Sequence, residues 1–335
     1  MEIRRVQMTG GSSFVITLPK EWINSMNVKK NDPLGLMMQS DGTLLITSKM
    51  TQDQQQRSKE FKVNNRASPT DLLRRLIGAY IAGYSSIKIN SESRMPLPVR
   101  DTIRKFTQIT IGQEVVEETD SLIVLKDLLN PTEMPFDRTI KRMHIIVKSM
   151  NEDAIRSLEK QDISLAKDVI SRDNDVDRLH LLIARQHNII LRNVSLAEKM
   201  NITAEMSSTC FLISRIIERI GDHVVRIAKN VITLENNTFD ESIITQIKTA
   251  SNLAIDAFNN AIGSFFRKDI QAANKNIETV KSLEVKWKKI NTLALKEEGA
   301  VTIAIGYIVE SIRRIGEYAE DISESAINYL ISEGK

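Results

Sequence analysis

From residue 138 to residue 335, apolar residues recur every three or four positions with few breakers between them. That period predicts long amphipathic helices. The pattern is also doubled. Residues 144–183 align without gaps on 251–290 at a shift of 107, so Ala154 falls on Ala261, Ser157 on Ser264, Asp162-Ile163 on Asp269-Ile270 and Ile183 on Ile290. Further on, Arg219-Ile220-Gly221-Asp222 meets Arg314-Ile315-Gly316-Glu317 at a shift of 95, which puts a deletion between the matching helices of the second copy. A repeat of this size implies two packed copies of one helical unit. Each copy has three periodic stretches, which predicts three-helix bundles over 138–236 and 240–332.

The amino-terminal part alternates instead. Arg5-Val6-Gln7-Met8 leads into the turn signal Thr9-Gly10-Gly11, and the β-branched run Ser13 to Leu18 follows. Pro19 opens a short helix, Lys20 to Met26. Leu34 to Met38 and Leu44 to Thr47 form a second hairpin around Asp41-Gly42. Residues 49–60 are polar and aperiodic and read as a linker. Residues 61–137 mix helix and strand, with a helix starting at Ser68-Pro69-Thr70-Asp71, strand-like Ser86 to Ile89, a helix from Pro98 to Phe106, and apolar segments Ile109 to Val116 and Ser121 to Leu125. The expected organisation is a 1–49 domain, a 61–137 α/β connector and two helical repeats. The fold class is α+β and predominantly α.

Composition narrows the function classes. The chain of 335 residues carries 46 Lys and Arg against 43 Asp and Glu, a net charge of +3, so any nucleic-acid surface must be local. Residues 1–49 hold six basic and four acidic residues, an excess of two. A segment so short buries little apolar surface alone, which favours a dimer. Two-fold pairing would double the charge and present two copies of Arg4 and Arg5. The residues alone leave two readings open: a β dimerisation module with a solvated basic patch, or a DNA-binding surface. The single cysteine, Cys210, excludes an intrachain disulfide and sits in a helical apolar pattern, so it reads as a small buried residue. The start Met1-Glu2-Ile3-Arg4-Arg5 lacks the apolar run of a signal peptide, and no stretch is long and apolar enough to span a bilayer; a cytoplasmic protein is expected.

Candidate chemistry lies in two helical segments. Asp173 with Asp177, and Glu218 with Asp222, are pairs four residues apart on one helix face. Facing each other, they would make an oxygen-rich site for a hard cation or iron. Beside Arg172, Arg178, Arg215 and Arg219, acid pairs at this spacing are usually a solvated, salt-bridged face, and spacing alone favours that reading. His180, His187 and His223 read as surface residues. No nucleophile–base constellation, phosphate-binding nucleotide loop or dinucleotide fingerprint appears, so no enzyme is expected.

Two resemblances sharpen this. The run Arg5 to Trp22, with Asn31-Asp32-Pro33-Leu34 and Asp41 to Ile46, is similar to the AbrB/SpoVT family. That likeness implies a swapped-hairpin homodimer that binds DNA, through residues here at Arg4, Arg5, Ser12, Ser13 and Lys20. Members of the family also serve as antitoxins. Where many carry Gly-Asp before the third strand, this chain has Asn31-Asp32-Pro33. Residues 140–330 resemble the PhoU family through Ala166-Lys167-Asp168-Val169, Asp173, Val176-Asp177-Arg178-Leu179 and Glu218-Arg219-Ile220-Gly221-Asp222-His223. This implies a metal ion (iron, zinc or magnesium) on Asp173, Asp177, Glu218 and Asp222, and a role in phosphate uptake through a phosphate ABC transporter ATPase and, in bacteria, a sensor kinase. The second repeat departs: Glu284 stands where Asp177 does, but Val280 replaces Asp173, Arg313 replaces Glu218 and Glu317 replaces Asp222. At most one metal site, in the first repeat, is expected, with Arg313 free to pair with Glu317 or bind an anion. Together the resemblances imply a DNA-binding regulator of phosphate homeostasis; the alternative is an adaptor that does not bind DNA and restrains a phosphate transporter.

Overall fold

The structure is a computed structural model that describes every residue except 1, 39–41, 49–56, 238–239, 283–286, 289, 291, 294, 296, 298 and 335. Asp41 of the second hairpin turn and Glu284 of the second repeat therefore lie outside the described residues. The chain divides into two compact units, residues 1–56 and 57–335.

The first unit holds two hairpins and a short helix. Strands β1 (Gln7–Thr9) and β2 (Ser13–Val15) pair antiparallel, Gln7 with Val15 and Thr9 with Ser13. Gly10 and Gly11 turn the chain at φ of +62° and +83°, a left-handed conformation that glycine adopts without a steric penalty. Helix α1 (Lys20–Ser25) follows Pro19, and β3 (Gly35–Met38) pairs antiparallel with β4 (Leu44–Thr47). No described residue of the first 48 is buried.

The second unit begins earlier than the polar run 49–60 suggested. Ser58–Val63 is a strand, β5, hydrogen-bonded parallel to β6 (Ser86–Ser91). Phe61 and Val63 face the core while Lys59, Glu60 and Lys62 stay exposed, and this charged edge is what made the segment look like a linker. With α2 (Pro69–Ile81), α3 (Leu97–Ile109), β7 (Gln113–Glu118) and β8 (Leu122–Asp127) it forms a four-stranded sheet ordered β5-β6-β8-β7. Leu76 and Tyr80 of α2, Ile103 and Phe106 of α3, and Ile87, Ile89 and Leu125 of the sheet make its core.

The helical part comprises α4 (Phe136–Lys160), α5 (Ile163–Ile190), α6 (Val194–Lys199), α7 (Ala204–Thr233), α8 (Glu241–Arg267), α9 (Ile270–Ser282) and α10 (Ala300–Ser332). The repeat read from the sequence recurs in atomic detail. Gln161 and Lys268 both take left-handed conformations at helix ends. Asp162 then caps α5 by accepting from the Leu165 amide, and Asp269 accepts from Ala272, each at 2.9 Å. Ser157 and Ser264 donate to Ala154 and Ala261 carbonyls in the same way. Helices α7 and α10 pack together, and one continuous core runs through both repeats.

One buried contact ties the sheet unit to the helices. Arg185 of α5 pairs with Asp127 of β8 at 2.5 Å, and their side chains are only 4% and 10% exposed. Its guanidinium also donates to the carbonyls of Tyr80 and Tyr84 and lies over the Tyr80 ring. Next to it, Gln186 donates to the carbonyls of Pro131 and Met134. The donors are matched to acceptors, which is what a buried ion pair requires.

Candidate functional site

Helices α5 and α7 are neighbours with complementary apolar stripes, Val169, Val176 and Leu179 on one and Ile213, Ile217, Ile220 and Val224 on the other. Asp173 and Asp177 flank the first stripe, Glu218 and Asp222 the second. Packing brings the half-buried Asp173, Asp177 and Glu218 and the exposed Asp222 into electrostatic contact. Burial pushes Asp173 up to about 7, and Asp177, Asp222 and Glu218 push in the same direction, with Lys229 opposing. Glu218 is also pushed up to about 7, by burial first and then by Asp222 and Asp177. Asp177 and Asp222 are raised as well, mainly by burial.

Gly221 makes the approach of Asp173 possible. A Cβ at that position would stand 3.2 Å from Asp173 Oδ1. The same oxygen is buried and has no hydrogen-bond partner. Arg215 and Arg219 oppose the rise of Glu218, and Arg219 that of Asp222, but no arginine among the described residues forms an ion pair with the four acids. Arg172 turns to Asp153 at 2.7 Å and Asp168 at 2.9 Å, and Arg178 reaches only Asp175 at 4.0 Å. The donor chemistry of this groove fits a hard cation: four carboxylate side chains, one of which, Asp173, has a buried oxygen without a partner. The convergence is looser, since no three His, Cys, Asp or Glu side chains among the described residues gather closely enough to hold one ion.

The histidines are not surface residues. His180 and His187 both stack on Phe211 at interplanar angles of 9°, and their Nδ1 atoms meet Ser214 and Ser207 across the α5–α7 seam. Burial lowers His180 to about 4, with Arg215 adding to it, so it stays neutral at neutral pH. Cys210 is fully buried, and burial raises its thiol to about 12, as expected of a packing residue.

The second repeat has the same frame with another filling. A Cβ at Gly316 would stand 3.2 Å from the Trp287 ring and 3.7 Å from Val280, where one at Gly221 meets Asp173. Arg313 pairs with Glu310 and Glu317, and Arg314 with the same two acids.

In the first unit, the hairpin sets Ser12 and Ser13 at its turn and leaves Arg4 and Arg5 ahead of β1, at the opposite end. One chain therefore does not gather these residues. Arg4 pairs with Glu2, while Arg5, Ser12, Ser13 and Lys20 are exposed. Sequence reasoning passed over Arg185, whose signal was a lone cation ending the apolar run Leu181-Leu182-Ile183-Ala184.

Comparison with known proteins agrees with this architecture. Residues 140–231 match the PhoU domain, and residues 7–53 match the family described as antidote-toxin recognition MazE, bacterial antitoxin. The chain is 24% identical over 194 residues to a phosphate-specific transport system accessory protein PhoU homolog of Thermotoga maritima, covering 56% of this chain and 82% of that protein. A PhoU homolog of the same description from Xylella fastidiosa is 26% identical over 202 residues, covering 58% and 83%. The crystal structure of PhoU from Pseudomonas aeruginosa superposes with a TM-score of 0.52 at 20% identity, over 59% of this chain and 96% of that one. Residues 54–139, with the sheet unit, fall in neither matched family span. No helix among the described residues is long and apolar enough to cross a membrane. The first helical repeat is thus similar to the PhoU domain, and the amino-terminal segment to the MazE antitoxin family.

Proposed function

We propose that this chain is a regulator of phosphate transport that binds DNA as a homodimer through its first unit. The observation that carries the proposal is the apolar surface of that unit. Met8, Phe14 and Ile16 of the first hairpin and Leu36, Met38 and Leu44 of the second are exposed, and no described residue among the first 48 is buried. A segment with that exposure lacks a core of its own, and a second copy with the same apolar rows supplies one. Pairing two copies brings Arg4, Arg5, Ser12, Ser13 and Lys20 onto a shared surface, which one chain does not achieve. The relatives named as phosphate-specific transport system accessory proteins support the phosphate link. In this reading the partner of the helical repeats is the ATPase of a phosphate transporter.

The acidic groove is the sensing element in this reading. Asp173, Asp177, Glu218 and Asp222 would hold a metal ion, which supplies positive charge to a cluster that otherwise keeps protons. Elemental analysis of the purified protein should find metal that is lost in an Asp177→Ala/Asp222→Ala variant.

A gel shift on DNA upstream of phosphate-transport genes tests the first unit. Binding should weaken steeply with salt and collapse in Arg4→Ala/Arg5→Ala. Absent or salt-insensitive binding would favour the adaptor, a reading to which the Arg4–Glu2 pair lends support by tying up one of the two arginines.

A further inference from the structure

Away from the acidic groove, a cleft of about 530 Å³ opens between α3 of the sheet unit and α5 of the first repeat. Its size falls in the range of small-molecule sites. Helix α3 contributes Arg104, Lys105 and Gln108, and α5 contributes Asn174 and Arg178. Three cations and two amides therefore line one concavity.

These cations are poorly satisfied. Arg104 reaches Asp101 only at 3.6 Å, and Arg178 reaches Asp175 only at 4.0 Å. Arg178 Nε is buried without a hydrogen-bond partner. Lys105 makes no ion pair among the described residues. Elsewhere the same chain closes an arginine tightly, as Arg185 does on Asp127 at 2.5 Å. The Arg104 and Arg178 side chains are 66% and 38% exposed, so their guanidinium groups are open to an incoming acceptor. Arginine forks and an adjacent lysine are the side chains that best receive phosphate oxygens.

The remaining lining indicates more than a bare anion. Asp101 and Asp175 line the same cleft and can accept hydrogen bonds from hydroxyl or amino groups. Ile109 adds an apolar wall. We infer that the α3–α5 cleft binds a small organic phosphate, its phosphate on Arg104, Lys105 and Arg178 and its polar body against Asp101 and Asp175. The inference is independent of whether the first unit binds DNA.

The site also has a route to the acidic groove. Asn174, Asp175 and Arg178 line the cleft, and Asp173 and Asp177 on the same turns of α5 face α7.

Calorimetric titration of the full chain at constant ionic strength tests the assignment. The probes are adenosine monophosphate and glycerol phosphate, with adenosine, glycerol and inorganic phosphate as their parts. The esters should bind, and each should bind more tightly than its parts. Arg178→Ala and Lys105→Ala should each weaken ester binding at least about tenfold, as expected on losing a charge-assisted hydrogen bond. Arg178→Lys should also weaken it, because an ammonium lacks the fork. Arg156→Ala, an exposed arginine of α4, should bind like the parent protein. Lys105 is exposed on α3, so its variant keeps the test valid even where Arg178→Ala fails to fold. The assignment is overturned if neither ester binds at millimolar concentration, if Lys105→Ala binds equally well, if adenosine or glycerol matches its ester, or if inorganic phosphate does.

Discussion

The two helical repeats share a frame and differ in what fills it. Gly221 and Gly316 occupy matching positions on α7 and α10, and each admits a close neighbour. In the first repeat that neighbour is a carboxylate with an unpaired oxygen; in the second it is Val280 and the Trp287 ring. The first repeat keeps four acids whose protons are held abnormally tightly, while the second closes its charges into Arg313 and Arg314 pairs with Glu310 and Glu317. Duplication preserved the caps and serines that build the helices, and the chemistry diverged at a handful of packing positions. One copy closes its charges into ion pairs, and the other keeps its carboxylates without them.

Exchanging the fillings tests this contrast most severely. Val280→Asp would place a carboxylate against the Trp287 ring with no partner, and urea unfolding should show a loss of about 3 kcal/mol. An unchanged midpoint would mean that the second repeat tolerates acids as the first does. Next come the glycines. Gly316→Ala meets a rigid indole at 3.2 Å and should cost about 1–2 kcal/mol. Gly221→Ala meets only the end of the Asp173 side chain, so steric cost and the helix preference for alanine should roughly cancel. Equal effects at the two sites would erase the distinction.

The proton chemistry gives a smaller, signed effect. When folded, Asp173 holds its proton to about 7; its ordinary value is 3.8. The folded state therefore binds more protons between those values, and stability falls as pH rises through that window. In chelator-treated protein, Asp173→Asn should match the parent near pH 4 and exceed it near pH 8 by about 1 kcal/mol after solvent screening. A constant offset at all pH values would exclude the raised acid. Smallest of all, Arg313→Ala removes partly exposed ion pairs and should change stability by about 0.5 kcal/mol or less.

The helical repeat was legible because spacing and caps are local. Asp162 and Asp269 announce helix starts, and the apolar period announces the buried face. The facing of Asp173 and Asp177 toward Glu218 and Asp222 was also readable, since both pairs flank apolar stripes that must meet. What the sequence hid depends on distant partners. Strand β5 looked like linker because Lys59, Glu60 and Lys62 mask Phe61 and Val63, whose role appears only once β6 lies alongside. His180 and His187 read as surface residues because their cover, Phe211, comes from another helix. The α3–α5 cleft was invisible for the same reason, with its cations spread over residues 104 to 178.

The Arg185 anchor sets the terms for dissecting the molecule. A fragment that starts at Phe136 would strip away Asp127 and the Tyr80 and Tyr84 carbonyls, stranding a guanidinium on the surface of α5 and leaving Gln186 without its acceptors. Cutting ahead of Arg57 severs none of these bonds. The piece that keeps every partner of Arg185 and Gln186 is thus the sheet and both bundles together, and a transplant of the bundles alone calls for an apolar residue at 185.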